Sequence, residues 1–206
     1  MTLARGTDRI ESERLILRRI SEEDFEFFIQ LHADPEVARY LPPGRPRSSQ
    51  ESIAWLHAVL GSYEDFGLGQ LAVLRKSDGM AIGRCGLSDL AVEARAQAAA
   101  VPRGWYQRAE APASAAELVF ERELGYTFHR SSWGQGYASE AARCVFEYAR
   151  DELGLPRVVS LIHPENFRSL RLAQRLGVQH EDVVEVQSRL YDRFVWPMPA
   201  RPEPGS

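Results

Sequence analysis

The chain has 206 residues, of which 44% are hydrophobic and 26% charged, which suits one domain with its own core and excludes a disordered chain. A formal net charge of −4 supplies no global attraction for nucleic acid or an anionic membrane, so neither is expected as a partner. The longest charge-free run, Ser52–Tyr63, falls short of the roughly 20 residues a membrane span needs, and no apolar leader follows Met1, so a cytoplasmic protein is expected.

In chain order, Glu11–Arg19 alternates and reads as a first strand. Ser21 and Asp24 form a weak capping box ahead of a helix carrying Phe25, Phe28, Leu31 and His32, which Asp34-Pro35 ends. Leu41–Pro46 is a rigid loop, and Ser49–Leu60 a second helix. Gly69–Arg75 and Met80–Leu87 read as a hairpin turned at Asp78-Gly79. Leu90–Ala116 is alanine-rich with weak periodicity and reads as an insertion, a short helix over Ala91–Ala100 followed by loop. Glu117–His129 is a long strand with room for a bulge. Ser139–Leu153 is a helix with Gly154 as its C-cap, Arg157–Ile162 a buried strand, and Phe167–Leu176 a helix closed by Gly177. Val183–Gln187 and Leu190–Trp196 make a last strand pair. The order implies an α/β fold with a mixed sheet and helices on both faces: a single domain over 11–196, interrupted by the insertion 90–116 and followed by a flexible tail, 197–206.

The richest stretch runs from Leu124 through Trp133-Gly134-Gln135-Gly136-Tyr137-Ala138 to Ala142. Glycines at a strand-to-helix turn let a ligand approach the backbone, and the unpaired N–H groups of the following helix suit a pyrophosphate. A dinucleotide fold fits poorly, because Ser139 stands where its third glycine belongs. Cys85 and Cys144 lack metal or redox spacing, and no metal is expected.

Glu13-Arg-Leu-Ile-Leu-Arg18, Glu123-Leu-Gly-Tyr126, Trp133–Ala141, Asn166-Phe-Arg-Ser169 and Leu176-Gly177 together resemble the GNAT N-acetyltransferase superfamily, most closely the branch of RimJ/RimL-type ribosomal-protein N-terminal acetyltransferases. The resemblance spans about Glu11 to Trp196 and implies a mostly antiparallel central sheet with acetyl-CoA as cosubstrate. It implies that Trp133, Gly134, Gln135, Gly136, Tyr137 and Ala138 hold the pyrophosphate. Backbone around Phe128 and His129 would face the thioester. Asn166 could cap the helix that follows it or bond the pantetheine arm, and the resemblance favours the arm. Glu123 would serve as base through water and Ser169 as acid for the leaving thiolate; Glu121 and His129 stay open as alternative bases. The tyrosine that many members carry on the helix after the fifth strand is replaced by Ala173. The expected activity is direct acetyl transfer to a primary amine, such as a protein N-terminus. A small-molecule amine (polyamine or aminoglycoside) and a non-catalytic acyl-CoA-binding protein remain the alternatives, and a homodimer is allowed.

Overall fold

Cross-strand pairing organises the molecule, seen here as a computed structural model describing residues 9–93, 103–107 (main chain) and 117–197. The strands are β1 (Arg9–Glu11), β2 (Leu15–Arg19), β3 (Gln70–Arg75), β4 (Ala81–Glu93), β5 (Arg103–Gln107), β6 (Leu118–Phe128), β7 (Val159–Ile162), β8 (Gln179–Val186) and β9 (Arg189–Val195). The helices are α1 (Phe25–Ala33), α2 (Pro35–Ala38), α3 (Ser49–Phe66), α4 (Tyr137–Asp151) and α5 (Phe167–Arg175). Among the described residues the strands form one nine-stranded, mostly antiparallel sheet in the order β1-β2-β3-β4-β5-β8-β9-β7-β6, with β4 also pairing with β6.

Side-chain parity assigns the two faces. Cys85 and its cross-strand partner Tyr126 lie on the α4 side, where Cys144 acts on Cys85. Arg84, one residue earlier, points the other way, to Trp55 of α3 and His32 of α1. The α4 helix approaches the sheet closely because its buried stripe is mostly small: Ala141, Ala142, Val145 and Ala149, with Phe146 stacked on Trp196 at 4.7 Å. Leu15, Leu17, Val73 and Leu124, each at most 1% exposed, fill the core, where one such side chain contributes about 1.5–3 kcal/mol.

Several boundaries differ from the sequence reading. The first strand divides at a turn in which Ser12 N–H donates to the Leu15 carbonyl. The second helix runs beyond Gly61 to Phe66, started by a Ser48/Glu51 capping box and stopped by Gly67 in the left-handed region. The largest correction concerns Leu90–Ala116. Leu90, Ala91, Val92 and Glu93 continue β4 and are buried, not the start of a helix or insertion. Trp105 and Tyr106 belong to β5, which pairs antiparallel with β4 and in parallel with β8. The rest of the expected Ala91–Ala100 helix, residues 94–100, lies outside the described residues, as do 198–206 of the expected tail. By these pairings β4, β5, β8, β9, β7 and β6 close into a ring around a second cluster, Leu90, Val92, Val159, Val184 and Tyr191. The β4–β6 register is continuous from Gly83↔Phe128 to Glu93↔Leu118, so no bulge alters side-chain parity there.

Candidate active site

The loop before α4 is built to leave donors open. Gly134 and Gly136 have φ of +76° and +85°, and the helix starts at Gly136 without a side-chain cap. Gly134, Gln135 and Gly136 are exposed, so the first N–H groups of α4 and its dipole face solvent. The loop is anchored from below. Trp133 Nε1 donates to the Phe128 carbonyl at 2.9 Å, and Gln135 Nε2 to the Ser131 carbonyl at 2.6 Å. Arg14 Nη1 holds the Gln135 carbonyl at 3.0 Å. Glu140 fixes Arg14 in turn, accepting from its main-chain N at 2.8 Å, from its Nε at 2.7 Å and from Ser12 Oγ at 2.6 Å. The Arg14 guanidinium also covers the buried Tyr137 ring at 4.7 Å. Arg14 and Glu140 are positioning residues that the sequence reading did not single out, although both lie inside its quoted motifs.

The adjacent strands diverge. β6 and β7 pair only at Glu123↔Val159; beyond it the Leu124 carbonyl is satisfied by Ser160 Oγ at 2.6 Å, which itself accepts from Trp196 Nε1 at 3.0 Å. His129 N–H donates to the Ile82 carbonyl at 2.9 Å. Antiparallel alternation then turns the N–H groups of Leu124, Tyr126 and Phe128 toward the gap, and His129 away from it. Of the expected backbone contacts, Phe128 is therefore suitably oriented and His129 is not. The His129 ring faces its own loop, with Nδ1 2.8 Å from Ser131 Oγ.

Glu123 lies at the mouth of this gap. Burial raises its carboxyl to about 7, outweighing the opposing effects of Arg84 and of a hydrogen bond from the Leu161 backbone. Glu121 is engaged elsewhere, 3.1 Å from Arg157 Nε and 3.4 Å from Arg193 Nη1. Asn166 caps α5, its Oδ1 accepting from Ser169 N–H at 3.2 Å. The Ser169 side chain acts on the buried Tyr126 hydroxyl, which makes no well-formed hydrogen bond and is pushed up to about 12 by burial. Tyr126 closes the quoted Glu123-Leu-Gly-Tyr126 motif, but the sequence reading gave it no role. Ala173 is buried in the core, as expected of a position without a hydroxyl. On the other side, His163 lies between Tyr40 and Tyr191, at 5.3 and 5.7 Å between ring centres. Arg189 ties the β8–β9 turn to the Arg39 and Leu41 carbonyls. Among the described residues no cluster of metal-ligating side chains occurs, and no helix is long and apolar enough to cross a membrane.

This geometry belongs to a known class. Residues 14–179 match the family model of the acetyltransferase (GNAT) domain, so the chain belongs to the GNAT acetyltransferase family. It is 37% identical over 179 residues to the uncharacterized N-acetyltransferase YnaD of Bacillus subtilis, covering 84% of this chain and 83% of that one. It is 29% identical over 189 residues to the FsC-acetyl coenzyme A-N(2)-transacetylase of Aspergillus fumigatus, covering 89% and 68%. In fold it is similar to RimL, a ribosomal L7/L12 alpha-N-protein acetyltransferase solved with coenzyme A, with a TM-score of 0.68 at 14% identity over 94% of this chain and 99% of that one.

Proposed function

We propose that the protein transfers an acetyl group from acetyl-CoA directly to a primary amine. The observation that carries this reading is the buried Glu123 carboxyl, poised near 7, beside a strand gap and an uncapped helix N-terminus. The open N–H groups of Gly134–Ala138 and the Arg14 clamp suit a pyrophosphate, and Phe128 N–H suits the thioester oxygen. Glu123 takes a proton from the amine through water; the nitrogen attacks the thioester carbon, the C–S bond breaks, and the thiolate takes a proton from Ser169, backed by Tyr126. An α-amine, with a pKa of about 8, is a less demanding acceptor than a lysine at about 10.4. A protein N-terminus and a small-molecule amine both meet that requirement. Thiol release from acetyl-CoA over a panel of amines tests the reading, and release with none of them, despite acetyl-CoA binding, would leave a non-catalytic binding protein.

Ser169→Ala is expected to lower kcat by about 10²-fold, the lower range of general-acid effects, with little change in the Kd for acetyl-CoA. Tyr126→Phe should act in the same direction, and the double variant should lose less than the product of the two, because the hydroxyls act as a unit. Single-turnover rates within about twofold of wild type would reduce Ser169 to a helix residue.

The chain between Glu93 and Leu118 is proposed to serve acceptor choice or self-association rather than CoA binding. Because these two residues are cross-strand partners, a two-residue Asn-Gly turn can join them without changing the β4–β6 register, with loss of β5 and the ring closure it provides. The variant is expected to fold and to keep CoA affinity within about twofold, while acceptor KM or mass in solution changes. A tenfold weaker CoA complex, about 1.4 kcal/mol, would contradict this assignment.

A further inference from the structure

The sheet face opposite α4 carries polar groups that acetyl transfer alone does not employ. Gly86 and Gly125 are direct partners. β3 main chain and the Gln70 side chain, bonded to the Gly86 carbonyl at 3.2 Å and Ser88 Oγ at 3.0 Å, cover Gly86. Over Gly125 the nearest atom to a Cβ would be Gln70 Nε2 at 3.6 Å, which leaves a notch between Thr127 and Glu123 with Gln70 as one wall. From the point where a Cβ on Gly125 would sit, the Glu123 carboxyl carbon is 3.9 Å away and Arg84 Nη1 4.0 Å. Around this notch Arg84 Nε, Thr127 Oγ1 and both ring nitrogens of His32 are buried without a hydrogen-bond partner. Arg84 donates to Gln70 Oε1 at 2.7 Å and lies 4.9 Å over the Trp55 ring, against whose edge His32 packs at 4.7 Å. Arg47 lies over the same ring at 5.8 Å and adds a second positive charge.

The charges at this notch do not balance. Among the described residues no carboxylate is in ion-pair contact with Arg84, and Glu123 is the one carboxylate whose field reaches it. Burial lowers Arg84 only to about 10, so it stays a cation at neutral pH, whereas His32, lowered to about 3, stays neutral. Glu123 is no steady counter-ion, because it loses and gains a proton in each turnover. A desolvated guanidinium whose Nε–H is open, beside the open Thr127 hydroxyl, is an expensive arrangement unless an anion arrives to accept from it.

We infer that the notch binds a carboxylate of the acceptor: the substrate is an amine whose carboxylate, a few bonds from the nitrogen, docks on Arg84 while the amine meets Glu123. This rests on the acetyl-transfer reading above and deepens it. Two sources share the chemistry, a free α-amino acid and a peptide that begins with Asp or Glu. Polyamines and aminoglycosides, which bring only cations to Arg84 and Arg47, are disfavoured as acceptors.

Matched pairs test this on the wild-type protein. One arm compares free L-amino acids with their carboxamides; the other compares peptides beginning with Asp or Glu with those beginning with Asn or Gln. In at least one arm the carboxylate member is expected to have a kcat/KM at least about tenfold higher. The preferred arm identifies the source. Arg84→Met should raise KM for that acceptor about tenfold or more with a smaller effect on kcat and an unchanged Kd for acetyl-CoA, and Arg84→Lys should restore part of the loss. Equal use of both members in both arms, or a preference for spermidine, would overturn the carboxylate site and leave the acetyl-transfer reading standing; no turnover across the panel while acetyl-CoA binds would overturn both. Failure to bind acetyl-CoA, by calorimetry, would overturn both.

Discussion

Glu123→Gln is expected to lower kcat by about 10²–10³-fold near pH 7, within the usual range for a lost general base. In the wild type kcat should rise with pH through about 7, as the buried carboxyl ionises. The variant keeps the shape of the side chain but accepts no proton, so its rate should recover only as the amine deprotonates by itself, near a pKa of about 8 for an α-amine. Stability should move the other way. The folded protein holds this proton to higher pH than the unfolded chain does, so the favourable contribution is complete below the ordinary carboxylate pKa of 4.5 and is lost as pH rises through about 7. Gln carries no such charge, so above neutrality the variant should be at least as stable as wild type, an advantage that fades toward acid pH. Parallel kcat profiles, or a variant that unfolds more readily above neutrality, would assign Glu123 a structural role.

Gly136→Val should weaken CoA binding at least about tenfold, since each charge-assisted hydrogen bond lost is worth roughly 1.5–3 kcal/mol. The residue has a φ of +85°, which a β-branched side chain resists, and its Cβ would come 3.3 Å from Arg14 Nη2. Both effects push the loop off the Arg14 clamp and turn the first N–H groups of α4 away from the phosphates. Apart from Tyr137, the buried stripe of α4 begins at Ala141, beyond the altered turn, so the variant should fold. Calorimetry gives the affinity and circular dichroism the fold; an unchanged Kd in a folded variant would remove the pyrophosphate from this loop.

What the sequence made legible was local. Gly134 and Gly136 announce a turn that needs positive φ, and the Ala142/Val145/Ala149 spacing announces the helix behind it. Glu123 could be preferred because it lies on the strand feeding that turn and in a quoted motif; the structure adds what occupies its two alternatives. Glu121 is held by Arg157 and Arg193, and His129 by its own loop. The misreadings were non-local. Ala91 and its alanine-rich neighbours look helical by composition, yet pairing with β6 makes Leu90–Glu93 strand. Arg14 meets Glu140 across most of the chain, and no periodicity reports such a contact. Tyr126, Arg84 and His32 acquire meaning only once strand register brings them beside the gap or the notch. Asn166, open from sequence to a capping or a ligand role, carries the capping bond.

Rapid mixing of the enzyme–acetyl-CoA complex with an amine acceptor tests direct transfer most immediately, with thiol release and acetylated amine followed together. The two should appear with one rate constant, and without amine no stoichiometric thiol burst should occur and the intact protein should gain no acetyl mass. A burst of thiol ahead of product, with an acetyl group on the protein, would mean that a side chain takes the acetyl group first and that Glu123 does not activate the amine for direct attack.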